Sequence, residues 1–258
     1  VILRDKTVAV VGAGVGLGGE VARLAVRDGA RVVLAARNAE RLGKLARELD
    51  ATGERVASCP MDVTDPDQLA RLTALARERF GGLDALVQVA ALDTLFGGVH
   101  DTSEEDWARA FRTNVVAPAQ MVRVAAEGMK ERGGAIVLIG SQSMYWPQVM
   151  QMAYAASKAA LESAMRYMAK ELGPLGIRVN MVVPTWMWGP PVESYVRALA
   201  AKRKVSEEEI IAGITAGMPL KRIPGDEDVA EAVVFFCSDR ARMITGQALM
   251  VNSGELMR

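Results

Sequence analysis

One histidine, His100, and two cysteines, Cys59 and Cys237, are all the nitrogen and sulfur metal ligands in the 258 residues. Without a cluster of such ligands, no zinc or iron site is expected. The two cysteines are far apart and lie in apolar segments. They read as buried free thiols, which fits a reducing compartment. No apolar run approaches the ~20 residues of a membrane span. Neither sign of charge dominates, with 31 Lys and Arg against 31 Asp and Glu. Neither a nucleic-acid surface nor an anionic membrane is therefore an expected partner. The opening Val1-Ile2-Leu3-Arg4-Asp5-Lys6 lacks the apolar core of a signal peptide. The expected location is the cytoplasm.

Hydrophobic residues are plentiful, at 50%, enough for a substantial core. They come as short apolar runs separated by amphipathic stretches. Runs at Thr7–Val11, Arg31–Ala35, Val56–Cys59, Ala85–Val89, Ala135–Ile139, Ile177–Val183 and Ala248–Val251 read as strands. Runs apolar on both faces, alternating with helices, predict an α/β fold with a doubly wound parallel sheet. Helix starts are marked at Asn38, at Asp65-Pro66 and at Thr102-Ser103. Arg41 three residues after Asn38 rules out a capping box there. A long helix is expected over about 152–172. No linker or repeat divides the chain, so residues 1–258 read as one domain. The stretch 186–219 breaks the rhythm and reads as a segment covering the substrate, above the carboxyl ends of the strands.

Between the first strand and the first helix lies Gly12-Ala13-Gly14-Val15-Gly16-Leu17-Gly18-Gly19. Glycines there allow a tight turn and bring a diphosphate to a helix N-terminus. The spacing fits Gly-x-x-x-Gly-x-Gly on Gly12, Gly16 and Gly18, because Leu17 breaks the alternative count. Gly12, Gly14, Val15, Gly16, Leu17 and Gly18 are the candidate cradle. The second strand ends in Ala35-Ala36-Arg37-Asn38 with no acid at its tip. A carboxylate there would hold a ribose 2′-hydroxyl, whereas a guanidinium bonds a 2′-phosphate. Arg37 and Asn38 thus favour NADP(H), with NAD(H) as the alternative.

Tyr154 and Lys158 are four apart on the long helix, hence on one face. An ammonium beside a phenol favours the phenolate, so the Tyr154 pKa is expected to fall toward neutrality. A phenol tuned in this way can exchange a proton at working pH. Ser141, at the end of a strand, can hold a substrate oxygen. Together these are the parts for interconverting an alcohol and a carbonyl.

Taken in order, Gly12, Gly16, Gly18, Asp62-Val63, Asn114, Ser141, Tyr154, Lys158, Pro184 and Ile244-Thr245-Gly246-Gln247 run the length of the chain. In these the chain resembles the single-domain short-chain dehydrogenases/reductases. The resemblance implies a seven-stranded Rossmann sheet, a Ser–Tyr–Lys centre with Asn114 as fourth member, and a homodimer or homotetramer. It implies that Tyr154 is the acid or base, that Lys158 holds the nicotinamide ribose, and that Asn114 interrupts its helix and holds a relay water. Asp62 and Val63 would hold the adenine, and the backbone from Pro184 to Met187 the carboxamide. The chain departs from the family where Asn-Asn-Ala-Gly is usual. It has Gln88-Val89-Ala90-Ala91, with Ala90 and Ala91 where backbone passes the cofactor. It also has Thr185 for a glycine, and Trp188 for a threonine.

Aromatics are few, at 5%, but three of the four tryptophans fall in two loops near these residues. Gln142, Tyr145, Trp146, Met150, Trp186 and Trp188 are the candidate substrate wall, suited to a bulky apolar ketone or alcohol. The reading is an NADP(H)-dependent carbonyl reductase or alcohol dehydrogenase, with the Arg37 argument favouring reduction. An NAD-dependent alcohol dehydrogenase is the alternative, and a nucleotide-binding regulator without turnover is a third possibility.

Overall fold

The computed structural model describes residues 1–147 and 149–257. Strands β1 (Thr7–Val11), β2 (Arg31–Ala36), β3 (Val56–Pro60), β4 (Ala85–Gln88), β5 (Gly134–Ile139), β6 (Ile177–Pro184) and β7 (Ala248–Val251) form one sheet. Their order is β3-β2-β1-β4-β5-β6-β7, and all neighbours are parallel. Seven expected strands are seven observed ones. Val89 alone falls outside, because β4 ends at Gln88.

Alternation on a strand assigns the two faces. In β1, Val8 and Val10 belong to one core with residues of α1 (Leu17–Arg27), α2 (Ala39–Leu49) and α9 (Asp226–Cys237). Ala9 and Val11 belong to the other, with α3 (Pro66–Phe80), α5 (Ala117–Met129) and α6 (Met152–Leu172). Both faces are covered, so the strands carry unbroken apolar runs. Local chemistry sets the helix ends. The Asn38 side chain accepts from the Arg41 amide at 2.9 Å, starting α2 without a capping box. Asp65 caps α3 with Pro66 in its first turn, and Gly81 ends it in the left-handed region. Ser103 and Asp106 form a capping box on α4 (Glu104–Phe111).

The chain runs outward from β1 to β3 and returns to β4 beside β1. In open α/β sheets such a reversal places the ligand crevice at the carboxyl ends of the strands beside it, here β1 and β4. The stretch 186–219 holds α7 (Pro190–Arg203) and α8 (Glu207–Thr215), which share a small core of Val196, Ala200 and Ile210. No helix among the described residues is long and apolar enough to cross a membrane.

Candidate functional site

The glycine turn leaves β1 against β4. A methyl group on Gly12 would lie 2.4 Å from the Ala90 amide nitrogen, and one on Gly18 would lie 2.2 Å from the Gly12 carbonyl oxygen. These two glycines serve backbone packing. Gly14 differs, because a methyl there would meet nothing within 4 Å. Gly16, with φ 96°, starts α1 without a side-chain cap. The first turn of α1 thus keeps backbone N–H groups for an outside acceptor.

At the strand tips next to this turn, Arg37 is exposed. Asp62 accepts from the Thr64 amide and hydroxyl, each at 2.8 Å, which holds its carboxyl below the usual range. Arg37 and Arg112 push it the same way. Arg112, on a different element, escaped sequence reasoning, and no local signal marks it. Two guanidinium groups bordering one carboxylate give this corner an anion-binding character.

Between α4 and α5 the helix widens into a π-helical turn at Arg112–Val116. Its central Asn114 is buried and accepts from the Leu92 amide at 2.7 Å. Asn114 also donates to the Leu92 carbonyl and to the Ser157 hydroxyl, both at 3.0 Å. The expected interruption of this helix is thus present. The Asn114 side chain is committed to Leu92 and Ser157, and so ties the loop after β4 to α6.

On α6, Tyr154 is half-buried while its hydroxyl end is enclosed. Burial pushes the phenol up to about 12, against a hydrogen bond from Ser141 and with a further upward push from the Asp93 carboxylate. Lys158 is buried and donates to the Ile139 carbonyl at 2.7 Å. Burial lowers its amine to about 8, although Asp93 opposes this. The nitrogen stands 5.7 Å from the Tyr154 ring centroid. This corrects the expectation of a near-neutral phenol. Lys158 points at the end of β5, and desolvation dominates both groups. At pH 7 the phenol is protonated.

The candidate wall residues divide. Trp146 and Met150 are exposed, 42% and 66%, along the rim. Trp186 stacks on Tyr195 of α7 at 5.4 Å. Tyr145 donates to Glu162 at 2.6 Å and packs toward α6. Gln142 is buried, and its amide is engaged by Asn252 and Glu255 at 2.7 and 2.8 Å. Trp188 packs with the α7–α8 core, and its amide donates to the Pro224 carbonyl. Gln142 and Trp188 therefore serve as structural ties. Of the nicotinamide-end residues, Pro184 is buried at the end of β6 and Met187 packs against the core beneath α1 and α9. Val63 is half-buried against the opposite core. Ala91 is exposed.

These residues fit a dinucleotide. Gly14 leaves room, Gly16 opens an uncapped helix start, and the buried Gln88 amide oxygen beside the turn has no partner among the described residues. The same residues show no group of three or more metal-ligating side chains.

Comparison with known proteins agrees with this geometry. The family model described as Enoyl-(Acyl carrier protein) reductase matches residues 12–255. The L-rhamnose 1-dehydrogenase (NAD(P)(+)) of Azotobacter vinelandii is 36% identical, over 98% of this chain and 97% of its own. A short-chain dehydrogenase/reductase of Brucella melitensis, described as a glucose/ribitol dehydrogenase, superposes with TM-score 0.88 at 30% identity. That match covers 100% of this chain and 99% of the other. A variant of actinorhodin polyketide ketoreductase, solved with NADPH, gives TM-score 0.86 at 31% identity, over 97% of each chain.

Proposed function

Because the chain belongs to the short-chain dehydrogenases/reductases, NAD(P)-dependent enzymes acting on CH-OH and C=O groups, we propose that it reduces a bulky, apolar ketone to a secondary alcohol with NADP(H). The bound nicotinamide supplies the hydride. The chain's own residues position the carbonyl and move the proton. Ser141 holds the substrate oxygen, and Tyr154 donates the proton to it. Lys158 orients the nicotinamide ribose, and Asn114 keeps the Leu92 loop fixed and supports a relay water. Gly12 to Gly18 cradle the diphosphate, while Asp62, Val63 and the segment from Pro184 to Met187 hold the two ring ends.

The observation that carries the reading is geometric: the Ser141 hydroxyl bonds the Tyr154 phenol, and Lys158 stands one turn along the same helix, 5.7 Å from the ring centroid. The same phenol can serve either direction, and the NADP(H) preference is what favours reduction. The preference for NADP(H) rests on Arg37 and Arg112 around Asp62. The rhamnose dehydrogenase's name covers both cofactors, which supports use of NAD(H) as well. Exposed Trp146 and Met150 and the Trp186–Tyr195 stack support an apolar substrate under a cover formed by 186–219 of one domain. Two buried free cysteines support a cytoplasmic setting. Exposed Leu249 and Met243 near the β7 edge and Tyr167 on α6 support a homodimer or homotetramer. Light scattering tests the assembly.

The central test is Tyr154→Phe. Cofactor Kd, read by nicotinamide fluorescence, stays within a few-fold of wild type. Ketone turnover drops by at least about a hundredfold, the scale of a positioned proton donor. Undiminished turnover would refute the assignment.

A further inference from the structure

The loop after β4 carries a carboxylate that the proposed chemistry leaves unused. Asp93 follows Leu92, whose amide and carbonyl are both held by Asn114. The Asp93 carbonyl accepts from the Gln151 side chain at 2.6 Å, and Gln151 caps α6 three residues before Tyr154. Farther along, the Gly97 amide donates to the Met150 carbonyl, and the Met152 amide donates to the Gly97 carbonyl. The loop is thus fastened at three places to the start of the helix that carries Tyr154 and Lys158. Asp93 is exposed, and its carboxylate makes no hydrogen bond or ion pair among the described residues. Its backbone is tied to Gln151 and, through Leu92 and Asn114, to Ser157, which bracket Tyr154 on α6, and its charge acts on both Tyr154 and Lys158. A carboxylate with open acceptor sites is therefore carried on a fastened loop beside the turn of α6 that holds Tyr154.

We propose that Asp93 is a specificity-determining residue that accepts a hydrogen bond from a hydroxyl on the carbon next to the reacting one, so that the preferred substrates are α-hydroxy ketones and the matching vicinal diols. This rests on the reading of Tyr154 and Ser141 as the groups that hold the carbonyl oxygen. An ionised carboxylate only accepts, so its partner must be a donor. A substrate carboxylate there would be repelled. A substrate ammonium would stand near Lys158, a buried amine that is itself largely cationic at pH 7. A neutral hydroxyl meets neither objection. A substrate hydroxyl there takes the place of water on the carboxylate, whereas an analogue without one displaces that water and returns no bond. For an exposed carboxylate the discrimination is about tenfold.

The test compares 2-hydroxycyclohexanone with cyclohexanone, using NADPH oxidation, for wild type, Asp93→Asn and Asp93→Leu. In wild type, kcat/KM favours the hydroxy ketone by about tenfold or more. The ratio falls toward one in Asp93→Leu, while the amide oxygen of Asp93→Asn keeps part of it. Taking the ratio cancels any change in Tyr154 acidity that the substitution brings. A wild-type ratio near one, or a ratio unchanged in Asp93→Leu, overturns the proposal while leaving the catalytic reading intact. If neither ketone turns over, the catalytic reading fails, and calorimetry with cis-cyclohexane-1,2-diol and cyclohexanol, in the presence of NADP+, decides about Asp93 alone. Tighter diol binding that Asp93→Leu abolishes supports it. Equal affinities overturn it.

Discussion

Lys158 is placed for chemistry at a cost to the fold, and that cost is measurable. The side chain is buried, with its nitrogen on the Ile139 carbonyl. Its amine is lowered from the ordinary 10.5 to about 8. At about 1.4 kcal/mol per pH unit, the charged form is penalised by roughly 3 kcal/mol in the folded chain. Lys158→Met keeps the length of the side chain and removes the charge. It also orphans the Ile139 carbonyl, which costs about 1–2 kcal/mol. At pH 7 the variant should therefore be more stable by about 1–2 kcal/mol, while losing its activity. The sign of the pH dependence follows from linkage. Between pH 8 and 10.5 the unfolded chain holds a proton that the folded chain has released, so wild-type stability rises with pH. The variant lacks this contribution. Its advantage should disappear and reverse by about pH 10. Tyr154, raised to about 12, opposes the trend only above its unfolded value near 10, and it is present in both chains. Urea unfolding midpoints at pH 7, 8, 9 and 10 give the difference curve. A difference that stays flat over that range would show that Lys158 is not desolvated as the structure places it.

Other substitutions separate binding from folding. Arg37→Asp should weaken NADP(H) tenfold or more while affecting NAD(H) much less, because a carboxylate would face the 2′-phosphate; equal losses in two fluorescence titrations would remove Arg37 from the ribose corner. Gly18→Ala drives a methyl into the Gly12 carbonyl and should lower stability by about 1–3 kcal/mol. Gly14→Ala meets nothing in the free chain, so its melting temperature should hold while its cofactor Kd rises; a melting shift without a Kd change would argue against the cradle. Asn114→Ala leaves Leu92 and Ser157 without their shared partner and should cost about 2–3 kcal/mol in a denaturant titration.

The parallel sheet was legible because each strand is a short run apolar on both faces, and both faces are covered. The caps at Asn38, Asp65 and Ser103 were legible because a capping bond is local in sequence. Charge in the interior was not. The Tyr154–Lys158 spacing placed both groups on one face, but it could not say that the amine turns to Ile139, nineteen residues away. Adjacency alone suggests a lowered phenol pKa, whereas burial reverses the direction. Gln142 looked like a pocket residue for a similar reason, since its partners Asn252 and Glu255 are more than a hundred positions away. Asp93 has no local signal at all. Its place depends on a π-helical turn and on a glutamine that starts another helix.

The chain's departures from the family pattern bear on how the site is kept rigid. Thr185 replaces a glycine after β6, and its hydroxyl donates to Glu255. The same Glu255 oxygen accepts from Gln142, next to Ser141. Gln142 accepts from Asn252, which also donates to the Leu256 carbonyl. One carboxylate near the chain's C-terminal end thus joins the loop behind Ser141 to the loop behind β6. Trp188 replaces a threonine, and its backbone pairs with Pro224 while its ring joins the α7–α8 core. At Trp188 a side chain expected near the cofactor, and at Thr185 a bare glycine, give way to side chains that bind protein. The geometry of the crevice therefore depends less on contacts made when the dinucleotide binds and more on ties present beforehand. Such preorganisation reduces the ordering cost of binding, and through Gln142 it makes Glu255 a support for the Ser141 loop.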